Sequence, residues 1–339
     1  MKLAKKILAG ALALAIGLVS TGCKKENGEA PSGLPFVGKK KISFVLDWTP
    51  NTNHTGVYVA LANGYYEEEG LEVEIIQPPE DGSIAAVASG QAQFGVSFQE
   101  NVGEAIAADA PAPITAVATI IDHNTSGIIS LRDKNIESFA DLEGKTYATW
   151  GLPVEQAILK YAVESQGGDF SKVKMVPHSG ADAVSLLQSG SVDAVWVYEA
   201  WDNVMADVAD VDYNYIPFVE ANSILDYYTP VIISNNDFLK NDPDTAKAFM
   251  RATAKGYDFA IEKPSEAADI LLKQVPELNP GLIVESQEIL AQYYKAEKSQ
   301  WGTIDEGRWA PFFDFMYGNN LIHTELGAKG FTNEFLPAE

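Results

Sequence analysis

The chain is poor in the residues on which most enzyme chemistry depends. Its 339 residues include one cysteine and four histidines. The histidines (His54, His123, His178 and His323) lie far apart, and none belongs to a His-x3-His or His-Glu-x2-His pattern, so we expect no metal site. A P-loop and a Gly-x-Ser-x-Gly nucleophile elbow are also missing from the sequence. We therefore predict no catalytic residue and no cofactor.

Positive charge is scarce as well. The chain has 24 lysines and arginines against 47 acidic residues, which gives a formal net charge of -23. Such a surface is repelled by a nucleic-acid backbone and by anionic lipid headgroups. We therefore expect no nucleic-acid partner and no electrostatic binding to membranes.

Long hydrophobic runs are limited to the first residues. Ile7 to Val19 is apolar and follows a basic segment that contains Lys2, Lys5 and Lys6. This run is too short for a comfortable membrane span, whereas the basic start and apolar centre are typical of a secretory signal. We predict a signal peptide over residues 1–22.

The single cysteine follows this signal directly. Ser20-Thr21-Gly22-Cys23 resembles a bacterial lipobox, although Ser20 replaces the commoner leucine. Lipidation of Cys23 would anchor the protein to the outer face of the bacterial cell membrane; the alternative is an incidental cysteine in an ordinary signal peptide. Residues 23–40 are rich in Gly, Pro and Ser, which predicts a flexible tether.

The rest of the chain repeats one β-α-β-α-β order about 100 residues apart. This order favours parallel sheets with right-handed crossovers, and hence two α/β lobes. We assign 41–125 and 232–339 to lobe 1 and 126–231 to lobe 2, with a mostly helical C-terminal third in which 286–296 is a candidate helix. Gene duplication and the general likeness of α/β domains both explain the repeat. The predicted elements are 41–46, 56–63, 71–76, 83–90 and 92–98 in the first copy, and 145–149, 155–164, 173–176, 182–190 and 192–198 in the second.

The segment Leu46 to Gly56 is the most informative part of the sequence. The apolar run from Ile42 stops at Asp47 and Trp48, and Pro50 is suited to the first turn of a helix. Such a strand-to-helix junction brings together Asp47, Trp48, Asn51 and His54 near the carboxyl end of a strand. Open α/β sheets usually bind ligands at that place. The alternative is a capped helix with a partly buried tryptophan.

Aromatic and acidic residues follow the other predicted strands. The first copy has Phe98 and Glu100, and the second has Trp150 at a similar Trp-Pro junction, followed later by Tyr198, Glu199 and Trp201. Aromatic faces suit a planar ligand, and a carboxylate accepts hydrogen bonds from its N–H groups. Core packing is the alternative for the tryptophans and a solvated helix start for Glu199. Tyr228 lies before the return crossover, where a plain loop is equally compatible.

Two blocks carry a resemblance to a known family. Leu46 to Ala60, followed by Gly64-Tyr65-Tyr66-Glu67-Glu68-Glu69-Gly70-Leu71, resembles the NMT1/THI5-like proteins, and the similarity extends from about Lys41 to past Leu239. That family includes pyrimidine-precursor binders of ABC importers and thiamine-pyrimidine synthases. The resemblance implies a type II periplasmic-binding-protein fold, with two α/β lobes and a hinge of two crossover segments. It also implies that Trp48, Asn51 and Glu199 contact a pyrimidine ring, with a less defined role for His54.

The chain departs from the synthase members at their reactive positions. Ser97 and Asn101 stand where the synthases have a lysine and a histidine, and no cysteine occurs near 224–228. The phosphate loop of the synthases corresponds to Gly151-Leu152-Pro153-Val154-Glu155, which has one glycine and adds an acid. A phosphate is poorly served by such a loop.

Together these observations predict a solute-binding lipoprotein of an ABC importer. We expect it to act as a monomer, with a permease and ATPase subunits as partners, and to capture a thiamine-type aminopyrimidine precursor by lobe closure. A sulfonate, nitrate or riboflavin-type ligand is the alternative within binding proteins. A synthase-like enzyme is the alternative from another class.

Overall fold

The computed structural model describes residues 38–178 and 182–338. The predicted signal peptide, Cys23 and most of the predicted tether lie outside the described residues. Within the described part, no helix has the length and apolar character needed to cross a membrane.

The first sheet has five strands in the order β2-β1-β3-β10-β4. Strands β1, β2 and β3 are parallel, whereas β10 runs antiparallel to both of its neighbours. The elements that build this sheet before the first crossing are β1 (Lys40–Val45), α1 (Thr55–Ala62), α2 (Tyr65–Glu68), β2 (Leu71–Ile76), α3 (Gly82–Ala88), β3 (Phe94–Ser97), α4 (Gln99–Ala107) and β4 (Ile114–Thr119).

The second sheet repeats this topology in the order β7-β6-β8-β5-β9. Here β6, β7 and β8 are parallel and β5 is the antiparallel strand. We call the elements on the first sheet lobe 1 and those on the second sheet lobe 2. Lobe 2 comprises β5 (Ser126–Leu131), β6 (Thr146–Thr149), α5 (Pro153–Ser165), β7 (Lys174–Pro177), α6 (Ala183–Gln188), β8 (Ala194–Tyr198), α7 (Val204–Val208) and β9 (Tyr213–Pro217).

The chain crosses between the sheets twice, from β4 to β5 and from β9 to β10. After the second crossing it forms a helical C-terminal part that begins on the first sheet. Its elements are β10 (Val231–Asn235), α8 (Asn236–Asn241), α9 (Pro243–Glu262), α10 (Pro264–Gln274), α11 (Pro280–Tyr293) and α12 (Glu306–Gly318).

Helix α9 holds the Leu46–Gly56 segment in place. Gly56 lies where α1 crosses α9, and a Cβ added there would come within 2.3 Å of the Tyr257 ring. A Cβ on Gly256 of α9 would lie 2.0 Å from the Gly56 carbonyl oxygen. Only glycine permits this approach, so the backbone packing of two helices fixes the junction after β1.

Most predicted elements agree with the structure, with three corrections. Pro50 does not begin a helix, because Asn51 caps a short 3-10 turn over Thr52–His54 and α1 begins at Thr55. The helix predicted over 286–296 begins earlier, at Pro280, where Asn279 provides the cap. Strands β4 and β9 were not predicted from the pattern.

Candidate functional site

The carboxyl ends of the parallel strands of both lobes face the two crossings. In lobe 1, Val45 of β1 pairs with Gly95 of β3, so the residues after each strand are neighbours. In lobe 2, Ala148 of β6 pairs with Val195 of β8 in the same way. Both antiparallel strands that begin after a crossing, β5 and β10, start beside these ends. The residues that follow these strands therefore lie where the sheets of the two lobes meet the crossings.

The polar residues of the first junction bind each other. His54 is fully buried, and its Nε2 lies 2.7 Å from the Asp47 carboxylate. Its Nδ1 accepts a hydrogen bond from the Asn51 backbone N–H at 3.2 Å, so Nε2 carries the proton that is donated to Asp47. The Asn51 side chain accepts from Asn53 N–H and donates to the Thr49 carbonyl. His54 and Asn51 therefore shape the junction, and their side chains have protein partners.

The two junction tryptophans are exposed. Trp48 is 58% exposed after β1, and Trp150 is 43% exposed after β6. Trp150 lies 5.9 Å from the buried Trp196 ring and 6.3 Å from His178, measured between ring centroids. Large exposed aromatic faces at matching strand ends are suited to contact a planar molecule.

Glu155 fills the start of helix α5 at the second junction. The side chain is buried, and its carboxylate accepts hydrogen bonds from the Tyr147 and Thr149 hydroxyls at 2.9 Å each. The backbone N–H groups of Trp150 and Leu152 also donate to it. A helix N-terminus is a ready anion site, and here a protein carboxylate already occupies it.

Glu100 lies in the first turn of α4, directly after β3, and has a buried carboxylate oxygen (Oε2) without a hydrogen-bond partner among the described residues. Burial raises its pKa from 4.5 to about 8, an effect to which the neighbouring Glu104 charge adds. Tyr198 of lobe 2 lies in the field of this carboxylate, because burial and then the charges of Glu100 and Asp47 raise the tyrosine pKa. The charges of Asp47 and Glu100 in lobe 1 thus act on the pKa of Tyr198 in lobe 2.

Glu199 faces a separate cavity of about 560 Å³ beside the crossings. Lobe 2 contributes Tyr215 and Glu199 to its lining, and α11 contributes Tyr293, whose hydroxyl donates to Glu199 at 2.9 Å. Burial and the Glu199 charge raise the Tyr293 pKa to about 12. The described residues that line the cavity are His123, Asn124, Glu199, Tyr215, Pro217, Val219, Glu220, Asp226 and Tyr293.

The lining is acidic. It includes the carboxylates of Glu199, Glu220 and Asp226, with His123 as the titratable base and neither lysine nor arginine among the described lining residues. Lys298 and Arg308 lie nearby, but both contact Asp122, and Arg308 also lies 3.6 Å from Asp226. A cavity of this charge favours ligands that donate N–H groups over ligands that carry a negative charge.

Three predicted site residues have other surroundings. Tyr228 is fully buried, and its hydroxyl accepts hydrogen bonds from Lys298 and from the Asp305 backbone, so it has no free surface for a ligand. Trp201 lies in a π-helical turn over Glu199–Asn203 and packs against the cluster of Tyr58, Leu271 and Ile283. Phe98 is half-buried and precedes α4 as its N-cap residue.

Sequence reasoning missed several cavity residues. Tyr293 belongs to a helix whose start was placed too late, and it meets Glu199 across 94 positions of sequence. His123 was noted only as an isolated histidine, although it lies in the first crossing. No local sequence pattern indicates such long-range contacts. The position of Asp226 shortly before β10 is a signal in the sequence that does indicate a residue near the crossings.

Comparison with known proteins identifies the family of this chain. The model of the family described as NMT1/THI5 like matches residues 51–267, which is more than half of the chain. The formylaminopyrimidine-binding protein of Halalkalibacterium halodurans is 32% identical over 298 residues, covering 85% of this chain and 88% of that protein. The THI5 protein of Saccharomyces cerevisiae, named 4-amino-5-hydroxymethyl-2-methylpyrimidine phosphate synthase, is 24% identical over 272 residues and covers 76% and 77%.

A solved structure confirms the predicted fold. The periplasmic aliphatic sulphonate binding protein SsuA of Escherichia coli superposes with a TM-score of 0.67 at 14% identity, covering 88% of this chain and 94% of that one. This likeness, with the paired sheets described above, establishes the two-lobed type II periplasmic-binding-protein fold. The chain belongs to the NMT1/THI5-like family.

Proposed function

We propose that this protein is the solute-binding component of an ABC importer and that it captures an aminopyrimidine related to thiamine precursors. The observation that carries the ligand class is the acidic interlobe cavity, with Glu199, Glu220 and Asp226 in its lining and no described lysine or arginine among them. An aminopyrimidine presents exocyclic N–H donors, and a carboxylate accepts hydrogen bonds from such groups well. The binding-protein relative supports the same class.

In this proposal the ligand bridges the lobes. Glu199 of lobe 2 and Tyr293 of the C-terminal part both line the cavity and are hydrogen-bonded to each other, so a molecule that contacts both of them stabilises the lobes in contact. Trp48 and Trp150, which are exposed after β1 and β6, would supply aromatic faces to the planar ring of the ligand. The permease would recognise the closed form, and no bond in the ligand is made or broken.

The cellular setting belongs to the same proposal. An importer's binding component works outside the cytoplasm, and lipidation of Cys23 would hold it at the outer face of the cell membrane. We propose that it acts as a monomer and delivers ligand to permease and ATPase subunits. Labelling cells with a radioactive fatty acid tests the anchor, because Cys23→Ser then abolishes incorporation.

Titration calorimetry with a ligand panel tests the ligand class. The panel contains 4-amino-5-aminomethyl-2-methylpyrimidine, its N-formyl derivative, an alkanesulfonate and riboflavin. We expect saturable binding of one of the aminopyrimidines and no heat from the sulfonate. Tight binding of the sulfonate with none of the pyrimidines would overturn the ligand assignment and leave a transport role for another solute.

A synthase activity is the second candidate, because the yeast synthase matches over 272 residues. Several features oppose it. Ser97 and Asn101 replace the reactive residues that the resemblance implies, and the Glu155 carboxylate occupies the helix start where a phosphate would bind. Addition of pyridoxal phosphate tests this alternative. An absorbance band of a Schiff base that disappears on replacement of one lysine would revive the enzyme, whereas we expect no band.

A further inference from the structure

His123 connects the two crossings of the hinge. It lies in the crossing from β4 to β5, and its Nδ1 is 2.7 Å from the carboxylate of Asp226 in the crossing from β9 to β10. Its Nε2 is 3.1 Å from the Glu297 carboxylate, which follows α11 in the C-terminal part. One imidazole ring thus links its own crossing to two other segments, which meet it where the lobes join.

Both ring nitrogens face carboxylate oxygens. A neutral imidazole has one donor and one acceptor nitrogen, so one of the two contacts would then place an acceptor against an acceptor. The imidazolium donates from both nitrogens and satisfies both contacts. The geometry is therefore complete only when His123 is protonated.

The charged groups around His123 favour this form. Its pKa is raised: burial lowers it, but the hydrogen bond and charge of Asp226 and the hydrogen bond of Glu297 outweigh burial and the opposing charge of Arg308. Asp122 Oδ2 lies 3.8 Å from Nε2 and adds a third carboxylate. Lys298, 2.5 Å from Asp122 Oδ1, and Arg308 balance part of this negative charge.

The same cluster borders the ligand cavity. His123 and Asp226 both line it, and the Asn124 backbone N–H donates to Asp226 at 2.9 Å. The hydrogen bond from Asn124 to Asp226 does not depend on the protonation of His123. Of these two contacts of Asp226, a rise in pH can therefore remove only the one with His123.

We propose that His123 is a proton-dependent tie across the hinge, so that its imidazolium stabilises the arrangement in which the lobes enclose a ligand. The sign follows from the contacts. Ligand binding favours the tied arrangement, which favours the protonated ring, so affinity is full below the pKa of His123 and falls as pH rises through it. This inference rests on the proposed ligand site, but the tie itself is also measurable without ligand.

Calorimetry at about pH 6 and about pH 8.5 tests the tie, with the N-formyl aminopyrimidine as probe. Protonation of the probe itself affects all variants equally, so we compare how steeply the affinity of each variant changes with pH. We expect the wild type to lose about tenfold more affinity over this interval than His123→Gln, because only the wild type releases the proton on which the tie depends. His323→Gln is the matched control at an exposed histidine and should follow the wild type. Equal pH slopes for the wild type and His123→Gln would overturn the proposal.

Unfolding of the ligand-free protein separates this inference from the proposed function. If no probe binds at any pH, the ligand assignment fails, while the tie still predicts that the wild type loses thermal stability relative to His123→Gln between the two pH values. In NMR titrations, Asp226→Asn should lower the pKa of His123 because it removes the nearest negative charge. An unchanged pKa of His123 in Asp226→Asn would contradict the tie. A stabilisation of the wild type by Zn²⁺ that His123→Gln abolishes would also contradict it, because the cluster would then be a metal site.

Discussion

The two lobes place the same residue types at equivalent points and use them differently. Each has an exposed tryptophan after its first parallel strand, Trp48 or Trp150, and a glutamate after its third, Glu100 or Glu199. Glu199 faces a cavity and has the Tyr293 hydroxyl as a partner, whereas Glu100 has a buried oxygen without one. Equivalent places in a repeated fold therefore differ in solvation, and solvation decides which carboxylate is available to a ligand.

The polar residues at the two helix starts differ in a similar way. After β1, His54 and Asp47 form a buried pair beside the Asn51 cap. After β6, one carboxylate, that of Glu155, receives hydrogen bonds from two hydroxyls and the neighbouring backbone. Both junctions are thus satisfied internally, and the tryptophan faces are what they present outward.

Removing Glu155 should have the largest effect on stability. Glu155→Ala leaves the Tyr147 and Thr149 hydroxyls and two backbone donors without their acceptor in a buried place. We expect the free energy of unfolding to fall by about 3 kcal/mol in denaturant titrations, since each unsatisfied buried group costs about 1–3 kcal/mol. Glu164→Ala in the same helix is the control, because that side chain is exposed and lies 4.0 Å from Lys160. Equal losses in both variants would contradict the capping role.

Glu100 should make stability depend on pH. Its folded-state pKa is about 8, above the ordinary 4.5, so the native state holds a proton that the unfolded state releases, and stability falls as pH rises between these values. Glu100→Gln should remove this slope and stabilise the protein at about pH 8 by about 2 kcal/mol. Unfolding curves across this range measure it, with Glu72→Gln, an exposed strand residue, as the control. A slope that survives in Glu100→Gln would assign the titration to another group.

Replacing either tryptophan should have the smallest effect of these substitutions, and we expect that effect on ligand affinity. Trp48→Ala and Trp150→Ala each remove one aromatic face, worth about 1 kcal/mol or about fivefold in affinity for the bound aminopyrimidine. Tyr317→Ala is the control, since Tyr317 is 41% exposed on α12. If only one of the two substitutions lowers the affinity, the ligand stacks on the tryptophan of that lobe alone. The two junctions then differ in function although both expose a tryptophan.

The sequence predicts the repeated architecture because hydrophobic periodicity and Trp-Pro junctions are local signals. The same signals single out Asp47, Trp48 and Glu199 as candidates, which follow β1 and β8 in the structure. The pairing of Glu199 with Tyr293 was not, because it depends on how α11 packs across the lobe boundary. Asn51 and His54 were chosen by motif as ligand residues, but burial and backbone hydrogen bonds give them roles within the junction. The sequence shows where the polar residues are, but it does not show which of them form hydrogen bonds within the folded protein.

The most direct test of the account compares aminopyrimidine affinity in the wild type and in Glu199→Gln. Glutamine keeps the size of the side chain and its contact with Tyr293 but removes the charge that accepts the ligand's N–H groups. We predict a loss of about 10- to 100-fold by calorimetry, the range expected when a charge-assisted hydrogen bond is lost, with a much smaller loss in Glu220→Gln at the exposed rim of the cavity. Unchanged affinity in Glu199→Gln would contradict the central claim that the acidic cavity between the lobes is the ligand site.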